Sequence, residues 1–153
     1  MGFTVGGCKM KVSEVMQNNI VSIPSSASIQ EAAKLMANAN IGSILVTENA
    51  KFIGILTERD LLKKVVATGL DPKKETVKGI MSSPLITIDS EADLEAANSL
   101  MERNRIRRLP ITINGRIEGI ITSRTILKNL RFSMAKKLTE DYGDKRSYVL
   151  REL

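Results

Sequence analysis

Gly54-Ile55-Leu56-Thr57-Glu58-Arg59-Asp60 returns 65 residues later as Gly119-Ile120-Ile121-Thr122-Ser123-Arg124-Thr125. The same offset holds well beyond these segments. Residues 12–65 align with residues 77–130 without a gap, and 17 of the 54 pairs are identical, among them Met16/Met81, Leu35/Leu100, Met36/Met101 and Ile41/Ile106. A fixed period of this length means one supersecondary unit used twice. Two such units are expected to be related by a pseudo-twofold, with equivalent clefts where they meet.

Working outward, each unit reads β-α-β-β-α after a short helical turn at Val12, Val15 and Met16. The β-branched run Ile20-Val21-Ser22-Ile23 predicts a short strand stopped by Pro24. Ser28 with Glu31 forms a capping box, and Asp93 is the matching cap in the second unit. Ile29, Ala32, Ala33, Leu35 and Met36 make one helix face, matched by Leu94, Ala97, Leu100 and Met101. Asn49-Ala50 and Asn114-Gly115 each separate two apolar runs, the pattern of a tight hairpin. A further helix is predicted after each hairpin, beginning near Glu58 and Ser123. The expected divisions are a flexible leader at 1–10, unit one at 11–68, a linker at 69–76, unit two at 77–131 and a helix-prone tail at 132–153 with Phe132, Ala135, Leu138 and Tyr142 as sparse anchors. At about 55–65 residues, each unit alone buries too little surface for comfortable stability. A single core shared by both halves is therefore expected.

Composition narrows the chemistry. The 153 residues contain no histidine, one cysteine (Cys8), no tryptophan, three phenylalanines and two tyrosines. Histidine-dependent nucleophilic catalysis, intramolecular disulfides and most zinc site types are thereby removed. No metal site is expected. Stacking platforms for single-stranded nucleic acid are poorly supported with so few aromatic rings. No apolar run approaches the roughly 20 residues of a membrane span. Met1 to Lys11 lacks the charged start and apolar stretch of a secretory signal, so a cytoplasmic location is the expectation. The net charge of +6 suits an anionic small ligand, an acidic partner or nucleic acid without choosing among them.

The repeated β-α-β-β-α order, the two Gly-apolar-apolar-Thr-x-x segments and the run Ile106-Arg107-Arg108-Leu109-Pro110-Ile111 together resemble a tandem pair of cystathionine-β-synthase (CBS) domains, over about residues 11–130. The resemblance implies a mixed α/β (α+β) fold and a regulatory module that binds an adenosine-containing ligand in clefts between the repeats. AMP, ADP or ATP is the expected ligand class, with S-adenosylmethionine as an alternative. No cofactor is required. A homodimer formed through helix faces is implied, and the faces with Met36, Met101, Leu62 and Leu127 could serve that role as well as the core. Output would pass to an effector protein or through assembly.

Residue chemistry gives this content. Thr57 can cap the helix that follows its strand, and Asp60 lies in the first turn beside exposed N–H groups. A carboxylate so placed can accept both hydroxyls of a ribose. The plainer alternative is that Thr57-x-x-Asp60 is only a capping pair. By resemblance, Thr57 and Asp60 would face the Thr87 segment of unit two across one cleft, and Thr122 would face the Ser22 segment across the other. Thr125 stands where the second ribose-binding Asp belongs, and a neutral hydroxyl is the poorer acceptor. Members of the family often carry basic side chains where Arg107 and Arg108 stand, to hold phosphate. Arginine's planar fork suits that task. Unit one has Gly42 and Ser43 at the matching positions. The plainer reading of the arginines is a solvated strand end or an ion pair. Arg59 and Arg124, though repeated, are expected to face solvent. Two other functions would draw on different sets of residues. A basic strip from Arg103 to Arg108, extended by Lys128, Arg131, Lys136 and Lys137, would suit nucleic acid. An enzyme would have to draw on Glu58, Asp60 and Asp141 without any metal set, nucleophile–base pair or phosphate loop; none is expected.

Overall fold

The computed structural model describes residues 9–132 and residue 135. The expected leader up to residue 8 and the tail anchors Leu138 and Tyr142 lie outside the described residues. The chain opens on a 3-10 turn at Val12–Glu14. It continues through β1 (Ser22–Pro24), α1 (Ile29–Asn38), β2 (Ser43–Glu48), β3 (Lys51–Thr57) and α2 (Glu58–Leu61), which runs on as a π turn at Leu62–Val66. The second repeat opens on α3 (Val77–Ile80), then β4 (Ile88–Asp89), α4 (Leu94–Asn104), β5 (Arg108–Ile113), β6 (Arg116–Thr122) and α5 at residues 123–132. Among the described residues no helix is long and apolar enough to cross a membrane.

Each repeat makes a three-stranded sheet, in the orders β1-β2-β3 and β4-β5-β6. The first pair in each is parallel, which requires the crossover helix α1 or α4. The second pair is an antiparallel hairpin. Both hairpin turns put two successive residues at positive φ: Asn49 (50°) and Ala50 (60°), Asn114 (50°) and Gly115 (76°). Such turns match the natural twist of the strands. The first strand sits later than the sequence pattern predicts. It pairs Ser22 with Leu45 and carries on to Pro24 opposite Thr47. Proline is tolerated there because β1 is an edge strand.

The caps form as expected. Ser28 accepts from the N–H of Glu31 at 3.2 Å, and Glu31 accepts from the N–H of Ser28 at 2.8 Å. The same N–H, helped by the Ser28 hydroxyl, holds the Glu31 carboxyl below its ordinary range. Asp93 accepts from the N–H of Ala96 at 2.8 Å. That bond, followed by the ion pair with Lys9, lowers its carboxyl likewise. The linker is also part of α1's start: the carbonyls of Glu75 and Pro72 accept the N–H groups of Ile29 and Gln30 at 3.0 and 2.9 Å. Met10 does the same for Leu94 at 3.1 Å.

The single shared core is not what forms. Two clusters exist, each closed by the other repeat's opening turn. Val77 and Ile80 of repeat two pack among Ile29, Met36, Ile44 and Leu56 of repeat one. Val12 of repeat one packs among Leu94, Met101, Leu109 and Ile126 of repeat two. Val12 and Val77 are fully buried. The exchange also serves the marginal-size problem, because neither repeat is left to close a core alone. Met36 and Met101, open to either the core or an association face, are core residues at 3% and 2% exposure. Leu62 and Leu127 do lie exposed, at 61% and 54%.

Backbone pairs complete the exchange. Ile55 donates to the carbonyl of Ser82 at 3.0 Å and accepts from its N–H at 2.8 Å. Ile120 and Gln17 make the equivalent two bonds, both at 2.9 Å. These bridges need glycine beside them. A Cβ at Gly54 would lie 2.6 Å from Met81 Sδ and 2.9 Å from the Ser82 carbonyl. A Cβ at Gly119 would lie 2.6 Å from Met16 Sδ. The glycine of the repeated segment is thus a close-approach residue between repeats. Gly54→Ala is expected to cost about 1–3 kcal/mol through overpacking. Gly79→Ala, whose added methyl meets nothing within 4 Å, should be neutral or slightly stabilising in its helical turn. Urea denaturation of the two variants checks the contrast.

Candidate functional site

The exchange leaves two clefts related by the 65-residue offset. The larger, of about 530 Å³, has Ile55, Thr57 and Asp60 from repeat one on one side. Leu85, Ile86, Ile106, Arg107 and Arg108 from repeat two form the other. The smaller, of about 350 Å³, is lined by Ile120 and Thr122 against Ile20, Val21, Ile41, Gly42 and Ser43. Both sizes, and the mixture of apolar walls with a few polar groups, suit small-molecule pockets.

Thr57 and Asp60 stand where β3 hands over to α2. Thr57 Oγ1 accepts from the N–H of Asp60 at 3.3 Å, and Asp60 Oδ2 accepts from the N–H of Thr57 at 3.0 Å and from its hydroxyl at 2.8 Å. The capping pair is therefore real. It does not account for the whole carboxylate, which is only 9% exposed. Its Oδ1 accepts from Ser82 Oγ at 3.3 Å and pairs with Lys64 Nζ at 2.9 Å. Lys64 in turn donates to the carbonyl of Ile80 at 2.7 Å. Asp60 is thus tied both to its own helix start and to the opening turn of the other repeat. In repeat two Thr125 replaces Asp60 and Asn129 replaces Lys64. The two threonine hydroxyls bond at 3.1 Å, and Asn129 donates to the Thr125 carbonyl at 2.8 Å. The ion pair and its acid have been replaced together by neutral groups.

Arg108 begins β5 and reaches across to the facing repeat. Its Nη2 lies 4.0 Å from Glu58 Oε2. A Cβ on Gly42 would collide with that same nitrogen and come within 2.8 Å of Glu58 Oε2. Gly42 therefore leaves the room in which the guanidinium rests.

Several expected positions move. Thr87 and Ser22 line neither cleft; in both repeats the wall ends one residue earlier, at Ile86 and Val21. Ser22 is the first residue of β1, exposed on the opposite side from the buried Ile23. Thr125 is absent from both linings, whereas Thr122 belongs to both. The strip from Arg103 to Arg108 is divided. Arg103 turns back to the Ser99 carbonyl at 3.4 Å, while Arg105, Arg107 and Arg108 line the larger cleft. Lys136, Lys137 and Asp141 lie outside the described residues.

Three arginines without an expected part in nucleotide binding stand at the clefts. Arg59 and Arg124 are exposed, yet Arg59 lines the larger cleft and Arg124 lines both. Their identity at the repeat offset was the available signal. Arg105 caps α4 in the left-handed conformation at φ 54°, and Asn40, just past the end of α1, adopts it at φ 52°. That geometry aims the chain toward the cleft, and no sequence pattern announces it for arginine.

The CBS domain family pattern matches residues 12–67 and again 77–131. The chain belongs to the CBS domain family. The CBS domain-containing protein YhcV of Bacillus subtilis is 36% identical over 110 residues, covering 72% of this chain and 78% of that protein. An uncharacterized protein of Methanopyrus kandleri is 38% identical over 121 residues, covering 78% of this chain; the chain spans 62% of that relative's length. Among solved structures, a putative signal-transduction protein with CBS domains from Burkholderia ambifaria superposes with a TM-score of 0.76 at 27% identity, over 79% of this chain and 93% of that one. Tandem CBS pairs form a family of regulatory modules that commonly bind adenosine ligands.

Proposed function

We propose that this CBS pair is a sensor that binds an adenine nucleotide in its larger cleft and transmits occupancy to a partner protein or to its own assembly. The reading rests above all on one observation. Thr57 and Asp60 of one repeat line the same 530 Å³ cavity as Arg107 and Arg108 of the other. An acid suited to a ribose diol and two forks suited to a phosphate come from opposite walls. The cavity carries five arginines against two carboxylates, Glu58 and Asp60, which favours an anionic ligand over a sulfonium cation. Between these ends, Leu85, Ile86 and Ile106 offer an apolar bed for a flat base. A ribose would have to take Asp60 Oδ1 from Ser82 or Lys64. Binding would then loosen a tie between the repeats, which gives a route from occupancy to altered geometry. No catalytic step is part of this reading, and a cytoplasmic setting fits it.

Calorimetric titration with AMP, ADP, ATP and S-adenosylmethionine tests it. A phosphorylated ligand should bind, and Asp60→Ala should weaken it by about tenfold or more, the scale of a lost charge-assisted hydrogen bond. Asp60→Ala also removes one half of the capping box at the start of α2, about 1 kcal/mol of stability, so its folding is measured alongside. Replacing Arg107 and Arg108 by Ala should weaken AMP far more than adenosine. Equal losses for both ligands, or no binding by any of the four, would rule the proposal out.

A homodimer through the exposed helix faces belongs to the same reading. Leu62, Val66 and Leu127 present uncovered apolar surface on the terminal helices of the two repeats. Sedimentation should give a dimer for the native chain and a monomer for Leu62→Lys combined with Leu127→Lys; unchanged mass in the variant would remove this contact.

A further inference from the structure

The two clefts are alike in shape but not in what charges they own. The larger has three arginines to itself, Arg59, Arg105 and Arg107. Among the described residues the smaller has none: the cations that line it, Arg108 and Arg124, also line the larger. Its remaining polar groups are neutral, namely the amides of Gln17, Asn19 and Asn40 and the hydroxyls of Ser43 and Thr122. Arg108 stands at the boundary, resting over Gly42 of the smaller cleft while paired with Glu58 of the larger.

We propose that the smaller cleft holds an anion only with Arg108 and Arg124, which it shares with the larger, so that a chain accommodates one phosphorylated ligand at a time while the smaller cleft remains open to an uncharged nucleoside. The inference deepens the nucleotide-sensor reading and rests on it. A phosphate in the larger cleft takes Arg108 from Glu58, because a phosphate of charge about −1.5 to −2 outcompetes an exposed carboxylate for a guanidinium fork. Arg108 then turns from Gly42, and Arg124 is drawn to the same charge. A second phosphate in the smaller cleft would meet no unshared cation and would lie near a like charge. A nucleoside makes no such demand. It needs only the apolar wall of Ile20, Val21 and Ile41 and the neutral amides. Gly42 is what lets Arg108 stand between the sites, since any Cβ there would push the guanidinium away from the smaller cleft.

The test counts ligands per chain on the full-length protein by equilibrium dialysis, using AMP and adenosine as probes. The expected result is one AMP per chain at saturation, no second AMP at tenfold higher concentration, and one adenosine added to the AMP-saturated chain. Two AMP per chain would overturn the sharing and leave the sensor reading intact. One AMP with no room for adenosine would also overturn it, because the smaller cleft would then be closed for a reason unrelated to arginine. Failure of AMP to bind at all would remove the sensor reading and this inference together.

Discussion

Backbone hydrogen bonds between the repeats hold the molecule in its form: two at Ile55/Ser82 and two at Gln17/Ile120, beside those that seat Val12, Ser13, Val77 and Lys78 on the carbonyls of Ala92, Ser90, Ala27 and Ser25. The first four bring the segment after each repeat's opening turn onto the last strand of the other repeat. They are possible because Gly54 and Gly119 carry no side chain where Met81 and Met16 pass. From this exchange follow the burial of Val12 and Val77 in foreign cores and the closing of two otherwise undersized hydrophobic clusters. The clefts are a by-product of the same constraint. Each has one wall from the strand-to-helix junction of one repeat and the other from the approach to β1 or β4 of its mate. Neither repeat has both walls.

Asp60 is where structure and proposed function compete. An ionised carboxylate offers about four lone-pair positions. In this fold the Thr57 N–H, the Thr57 hydroxyl, Ser82 and Lys64 occupy them. The Thr57 bonds also cap α2, so they are the dearer pair to break. Ser82 at 3.3 Å and Lys64, whose side chain is 43% exposed, are the cheaper ones. Ligand hydroxyls would therefore displace the contacts that join Asp60 to repeat two. Repeat two has lost both members of this arrangement, through Thr125 and Asn129. Its cleft thus lacks the acid and the counter-charge that would need to be displaced.

Much of this was legible in the residues, and the limits have physical causes. Local signals read well. Ser28/Glu31, Asp93 and the two Asn-led turns act within three or four residues, and they form as their chemistry dictates. The gapless repeat gave the element order and the family. It could not show that the opening turns are exchanged, because Val12 and Val77 are equally apolar whichever core receives them. The same ambiguity leaves Met36 and Met101 open to either the core or an association face. Strand β1 slipped to Ser22–Pro24 because register is set by the parallel partner β2, a long-range pairing. At the candidate site, Thr57, Asp60, Arg107 and Arg108 come together from 50 residues apart, while Ser22 and Thr87 fall just past the cleft's edge. Arg59 and Arg124 face solvent as an arginine on a helix end ordinarily does, and only the facing repeat turns that water into a cleft.

The central claim is that a ligand site exists only where the two repeats meet. Amide chemical shifts of the isotope-labelled chain during titration with AMP test it most directly. The account requires the amides of Thr57–Asp60 and of Leu85–Ile86 to move together with one common midpoint, although they belong to different repeats. Shifts confined to a single repeat, or separate midpoints for the two segments, would contradict it.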